Sequence, residues 1–228
     1  MKPEHLQRVR RRARLTQVQA AARLGVSQPY LSMLERGQRP LSPKLARRMM
    51  HVYGLDPTVL PPSSALPHAD SSRLALDLAA LGYPGFAYLR SRRRARNPAE
   101  VLLAALTHDN LEARVVEALP WVLVRYWDVD ATWLVEQARL RNMQNRLGYV
   151  VHLARALAVR SKGGGEERNE ALARLESALE ESRLAREDTL CRDLPAPERR
   201  WLKKNRPAQA RHWRLLTDLR PEHLRYAA

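Results

Sequence analysis

Leu15-Thr16-Gln17-Val18-Gln19-Ala20-Ala21-Ala22-Arg23-Leu24-Gly25-Val26-Ser27-Gln28-Pro29-Tyr30-Leu31-Ser32-Met33-Leu34-Glu35-Arg36-Gly37 decides how the first quarter of this chain folds. Thr16 has the side chain of an N-cap, and it precedes the helix-forming run Gln17–Leu24. Gly25 follows at the position where a helix ends with a left-handed residue. Ser27 is a second N-cap. It opens a helix over 28–36 with Pro29 in its first turn, where proline costs nothing, and Gly37 closes it. Ala20, Ala21 and Ala22 are small enough for two helices to approach closely, while Val26, Leu31 and Leu34 supply apolar side chains for a shared core.

The flanking sequence extends the pattern. Leu6, Val9 and Ala13 form one apolar stripe before the stretch. After it, Ser42 caps a helix with Pro43 at its first position, which runs to Tyr53 and stops at Gly54. Two short helices across a tight glycine turn, braced by neighbours, have helix-turn-helix geometry. In that motif the second helix lies in the DNA major groove.

Charge agrees with the motif. The chain has 228 residues, with 40 Lys and Arg against 24 Asp and Glu, a formal net charge of +16. Residues 1–60 hold 12 Lys/Arg and 3 Asp/Glu, a net +9, whereas residues 98–160 hold 7 of each. A basic module is therefore joined to a near-neutral one, and phosphates are the natural counter-charge of the first. Between them, residues 61–72 hold three prolines and four serines without apolar periodicity and read as a linker. Domains are expected at 1–60 and 73–228.

The stretch resembles the helix-turn-helix of the Cro/CI-type (XRE) regulators. The matching positions are Leu15-Thr16-Gln17, Gly25-Val26-Ser27-Gln28, Tyr30-Leu31-Ser32 and Leu34-Glu35-Arg36-Gly37, followed by Tyr53-Gly54-Leu55. The resemblance covers about residues 4–60 and implies a phage-repressor-like fold of five short helices. It implies a phosphate contact for Gln17 at the start of the first motif helix, with Thr16 beside it as a further DNA-contact candidate. Ser27 and Gln28 take the leading recognition positions, and a Gln there can pair with adenine N6 and N7. Pro29 departs from the polar residue of some relatives, which leaves it a thymine methyl to touch. Tyr30, Ser32 and Met33 are further candidates on that face, with Arg36, Arg39 and Lys44 on phosphates. Arg10 and Glu35 match an internal, structural ion pair. Arg8, Arg11, Arg12 and Arg14 read either as phosphate contacts or as a solvated basic face.

The rest of the chain reads as helical too: 72–81, 84–92, 98–106 with Asn97 as N-cap, 111–126 with a break or kink near Leu119 because of Pro120, 131–140, 142–160, 166–186, 197–204 and 208–219. No strand alternation is convincing, so the expected fold class is all-α, with the helix-turn-helix domain followed by a larger helical domain for dimerisation, partner binding or sensing. All five tryptophans lie in the second part. Trp121 and Trp127, in its most apolar stretch, read as core or as a partner-binding groove, since Trp is enriched at interfaces. Arg141–Gly148 reads as a helix cap or a partner contact, and the basic run Leu89–Asn97 as a solvated loop or an added DNA contact. This part also resembles a group of regulator-antitoxins through Glu117-Ala118-Leu119-Pro120-Trp121, Asn145-Arg146-Leu147-Gly148, Arg199-Arg200-Trp201-Leu202 and His212–Leu219. That resemblance implies a toxin protein as partner.

Other chemistries find no motif. The seven histidines show no H-E-x-x-H spacing, Gly163–Gly165 lacks the Lys-Ser/Thr of a phosphate loop, no Gly-x-Ser-x-Gly elbow occurs, and the single Cys191 reads as an incidental thiol. No enzyme, cofactor or metal is expected. With no apolar run behind the basic N-terminus and none of membrane-spanning length, a cytoplasmic, nucleoid-associated protein is expected. Its partners would be double-stranded DNA and a second copy of itself, with no membrane.

Overall fold

The computed structural model describes residues 3–63, 65, 70–89, 94–160 and 165–226. It divides into two compact units, Met1–Pro62 and Ser63–Ala228. Among the described residues both are helical, and the only strands are a two-residue pair.

The first unit holds α1 (Pro3–Arg12), α2 (Gln17–Leu24), α3 (Gln28–Glu35) and α4 (Pro43–Tyr53). The expected fifth helix is a single 3-10 turn, Pro57–Val59. Its core is Leu6, Leu15, Ala20, Ala21, Leu24, Leu31, Leu34, Leu45 and Met49. Ala20 has no exposed surface and Ala21 almost none, which is what lets α2 lie close against α3. Gly25 sits at φ +62 between those helices. Its N–H bonds Ala22 O at 3.1 Å while Val26 N–H bonds Ala21 O at 3.0 Å. This double closure needs a left-handed residue, which glycine supplies without steric cost.

The second unit holds α5 (Ser71–Ala80), α6 (Pro98–Leu106), α7 (Ala113–Arg125), α8 (Ala131–Leu140), α9 (Gln144–Arg160), α10 (Glu166–Glu180), α11 (Ala196–Asn205) and α12 (Ala208–His212). α9 packs against both α7 and α10. Nearly every residue of α6 is buried, so it is wrapped on all sides.

Four features differ from the expected ones. α7 continues through Pro120 without a break, because Val115 to Val124 is buried almost without interruption and that packing outweighs one missing backbone hydrogen bond. The helix expected over 166–186 stops at Glu180. Asn145 takes the backbone of Leu184 instead, its Oδ1 accepting from Leu184 N at 2.8 Å and its Nδ2 donating to Leu184 O at 3.0 Å. The helix expected over 208–219 stops at His212. Arg214 turns left-handed at φ 57. Beyond it Leu215–Leu216 (β2) pairs in parallel with Asp188–Thr189 (β1). Finally, 84–92 is a 3-10 segment over Pro84–Leu89. Residues 90–93 of the basic run, residues 64 and 66–69 of the linker and Gly163–Gly164 lie outside the described residues.

Candidate nucleic-acid interface

Two capped helix starts build the candidate surface. Thr16 Oγ1 accepts from Gln19 N at 3.2 Å, and Gln19 Oε1 accepts from Thr16 N at 3.0 Å, closing a reciprocal cap on α2. Ser27 Oγ accepts from Tyr30 N at 3.3 Å at the start of α3. Thr16 and Ser27 thus hold the helix ends with their side chains and remain exposed.

A row of hydrogen bonds crosses from α1 to the tip of α3. Arg10 Nε stands 2.6 Å from Glu35 Oε1, and Arg10 Nη2 donates to Glu35 Oε2 at 2.9 Å. Arg10 Nη1 also donates to Leu15 O at 3.0 Å, anchoring the entry to α2. Gln17 Nε2 donates to the same Glu35 Oε2 at 2.9 Å, and Gln28 Nε2 donates to Gln17 Oε1 at 2.7 Å. Arg10 and Glu35 are both only 8% exposed. Burial pushes the Glu35 carboxyl up, but hydrogen bonds from Arg10 and Gln17, with the charges of Arg10 and Arg11, outweigh it and leave the carboxyl below its ordinary value.

Burial sorts the remaining positions of α3. Leu31, Leu34 and Glu35 face inward. Pro29 and Arg36 are exposed and Ser32 and Met33 half-buried, at the i, i+3, i+4, i+7 spacing of one helix face. Tyr30 is half-buried with its ring against the core, so it stands off that face. Arg36 Nε donates to Ser32 O at 3.3 Å and stays exposed, as do Arg39 and Lys44.

Residues 4–62 match the family model of a helix-turn-helix domain. No curated protein matches the chain, and no solved structure does. The match covers the N-terminal unit, which is the module that DNA-binding transcription regulators carry.

Sequence reasoning missed Arg48. Its Nη1 donates to Leu24 O at 2.7 Å, tying α4 to the last carbonyl of α2 beside the Gly25 turn. An arginine on a basic helix gives no sign in the sequence that it serves a carbonyl rather than solvent.

In the second unit the two singled-out tryptophans part company. Trp121 is 5% exposed and packs edge-on to Tyr83 with ring centres 5.4 Å apart, so it is core and presents no surface to a partner. Trp127 is half-buried and lines a hollow of 500 Å³ between α8 and α10, with Val135, Leu175 and Ala178. Asn145 and Arg146, from the segment read as cap or partner contact, are buried braces. Arg146 meets Asp188 through Nε at 2.9 Å and bonds the carbonyls of Leu106 and His108. Arg96, at the end of the basic run, is held by Asp77 at 3.0 Å and Glu100 at 3.3 Å. Cys191 is fully buried, and burial pushes its thiol up to about 12.

Proposed function

We propose that the chain is a sequence-specific DNA-binding repressor of the Cro/CI type, which lays α3 in the major groove. One observation carries this reading: the Gln28 carboxamide is held at the tip of α3 by Gln17, which is itself held by Glu35. A primary amide has two N–H groups and an oxygen with two lone pairs. The bond to Gln17 occupies one N–H of Gln28, which leaves the other N–H and Oε1. Those two atoms are the pair that adenine N7 and N6 require. Fixing the amide in advance lowers the ordering cost of that contact.

Pro29, Ser32 and Met33 would stand beside Gln28 against base edges or the thymine methyl. Gln17 keeps one amide N–H for a phosphate, and Arg36, Arg39 and Lys44 would follow the backbone. A homodimer would then read two half-sites about one helical turn apart, with the second unit supplying dimerisation or a signal.

Selection of bound duplexes from a randomised pool by the full chain tests the reading. It predicts an enriched site with two related halves. A bound pool no different in sequence from the input overturns it.

A further inference from the structure

The C-terminal part of the second unit carries a basic island that the helix-turn-helix reading leaves unused. Residues 196–214 contain seven Lys and Arg against one acidic residue, Glu198. At its centre is α11, seated by Leu202, which is 1% exposed and clusters with Leu194 and Leu216. With Leu202 inward, helix periodicity turns Arg200 and Lys204 outward, with Trp201 on one flank and Lys203 on the other. Trp201 is 55% exposed, while Trp121 and Trp213 are buried and Trp127 and Trp133 half-buried.

Local acid does not neutralise that outer face. Glu187 takes Lys203 at 3.3 Å and Arg206 at 3.1 Å, and Glu198 takes Arg192 at 2.9 Å. Among the described residues, no carboxylate forms an ion pair with Arg200 or Lys204. The platform is firmly built: Asn205 Nδ2 donates to Trp201 O at 2.9 Å, and Arg206 Nη1 donates to Leu215 O at 3.0 Å, fixing the end of α11 on β2.

From this juxtaposition we infer that the outer face of α11 binds single-stranded nucleic acid, with Arg200 and Lys204 on successive phosphates and an unpaired base stacked on Trp201. An exposed aromatic face beside unpaired cations is the arrangement by which proteins hold single strands, because every base offers a ring to stack. Lysines in the last turn also suit the helix dipole, which accounts for Lys203 and Lys204 but not for a tryptophan left in water. A protein partner fits less well, since lysine is depleted from the cores of protein interfaces whereas here Lys204 lies one turn on, beside the tryptophan. In a duplex the base faces are already stacked on one another. The site stands apart from the reading of α3.

Fluorescence anisotropy of the full chain with a labelled oligothymidine and a labelled oligouridine, each about 20 nucleotides long, tests the inference. Trp201→Ala is expected to weaken binding by about tenfold, with Trp201→Phe retaining most of it and duplex affinity unchanged. Arg200→Ala with Lys204→Ala is expected to reduce the slope of log affinity against log salt by about 1.4. The two oligonucleotides show whether the strand is DNA or RNA. Single-strand binding that ignores Trp201→Ala overturns the inference. So does an equal loss on duplex, which would mark one shared surface. Displacement by polyglutamate that is also indifferent to Trp201 overturns it in favour of an acidic protein partner.

Discussion

Glu35 holds three side chains at once inside the N-terminal unit: it balances the Arg10 guanidinium, accepts from Gln17, and through Gln17 sets the amide of Gln28. A buried ion pair of this kind adds little beyond an apolar pair, but breaking one side leaves a stranded charge. Glu35→Gln removes the counter-charge and is expected to cost about 3 kcal/mol at neutral pH. The same linkage fixes the pH response. Because the folded carboxyl lies below its ordinary value of 4.5, its contribution is complete above 4.5 and is withdrawn as the pH falls through the lower folded value. Thermal unfolding of residues 1–62, followed by circular dichroism between about pH 3 and 7, checks both points. The native fragment loses stability toward the acid end, and the Gln variant starts lower with a flatter profile. The Arg10–Glu35 pairing is implied by the resemblance of the motif. The contact between Gln17 and Gln28 is not legible in sequence, where they read as a phosphate contact and a base reader. Their amides meet because of how α2 and α3 cross, and no residue pattern encodes that distance.

Among the elements, those with chemical punctuation were readable. Thr16, Ser27 and Ser42 each cap the helix they were expected to open, and Asn97 does so in the second unit. Elements decided by distant partners were not. The end of α10 depends on Asn145, some forty residues earlier, and β1 and β2 are too short to show a period. Gly148 is a further case. It reads as a helix-weakening residue inside α9, yet a Cβ there would lie 2.2 Å from Trp213 Cζ3. The missing Cβ leaves room for the indole. Gly148→Ala is expected to destabilise the second unit by about 1–3 kcal/mol through overpacking. Urea unfolding read by tryptophan emission isolates this effect, because all five tryptophans belong to that unit.

For the whole molecule, the distribution of charge says more than its total. The N-terminal unit concentrates the excess around a helix-turn-helix, the middle of the second unit is neutral, and a smaller basic island returns on α11. No helix among the described residues is long and apolar enough to cross a membrane. The proline- and serine-rich segment and the step in charge put the expected linker at residues 61–72, and the two compact units divide after Pro62. The role of the second unit was not legible, because its motifs are largely internal braces: Trp121, Asn145, Arg146 and Trp213 are all buried. On the proposed function, bases are read through an amide held by the protein's own fold. The direct measurement is the affinity of native and Gln28→Ala protein for a selected duplex and a scrambled one at the same salt. The variant is expected to lose about 1–3 kcal/mol on the selected duplex and little on the scrambled one, so selectivity falls while phosphate-driven binding persists. Equal selectivity in the two proteins would contradict it.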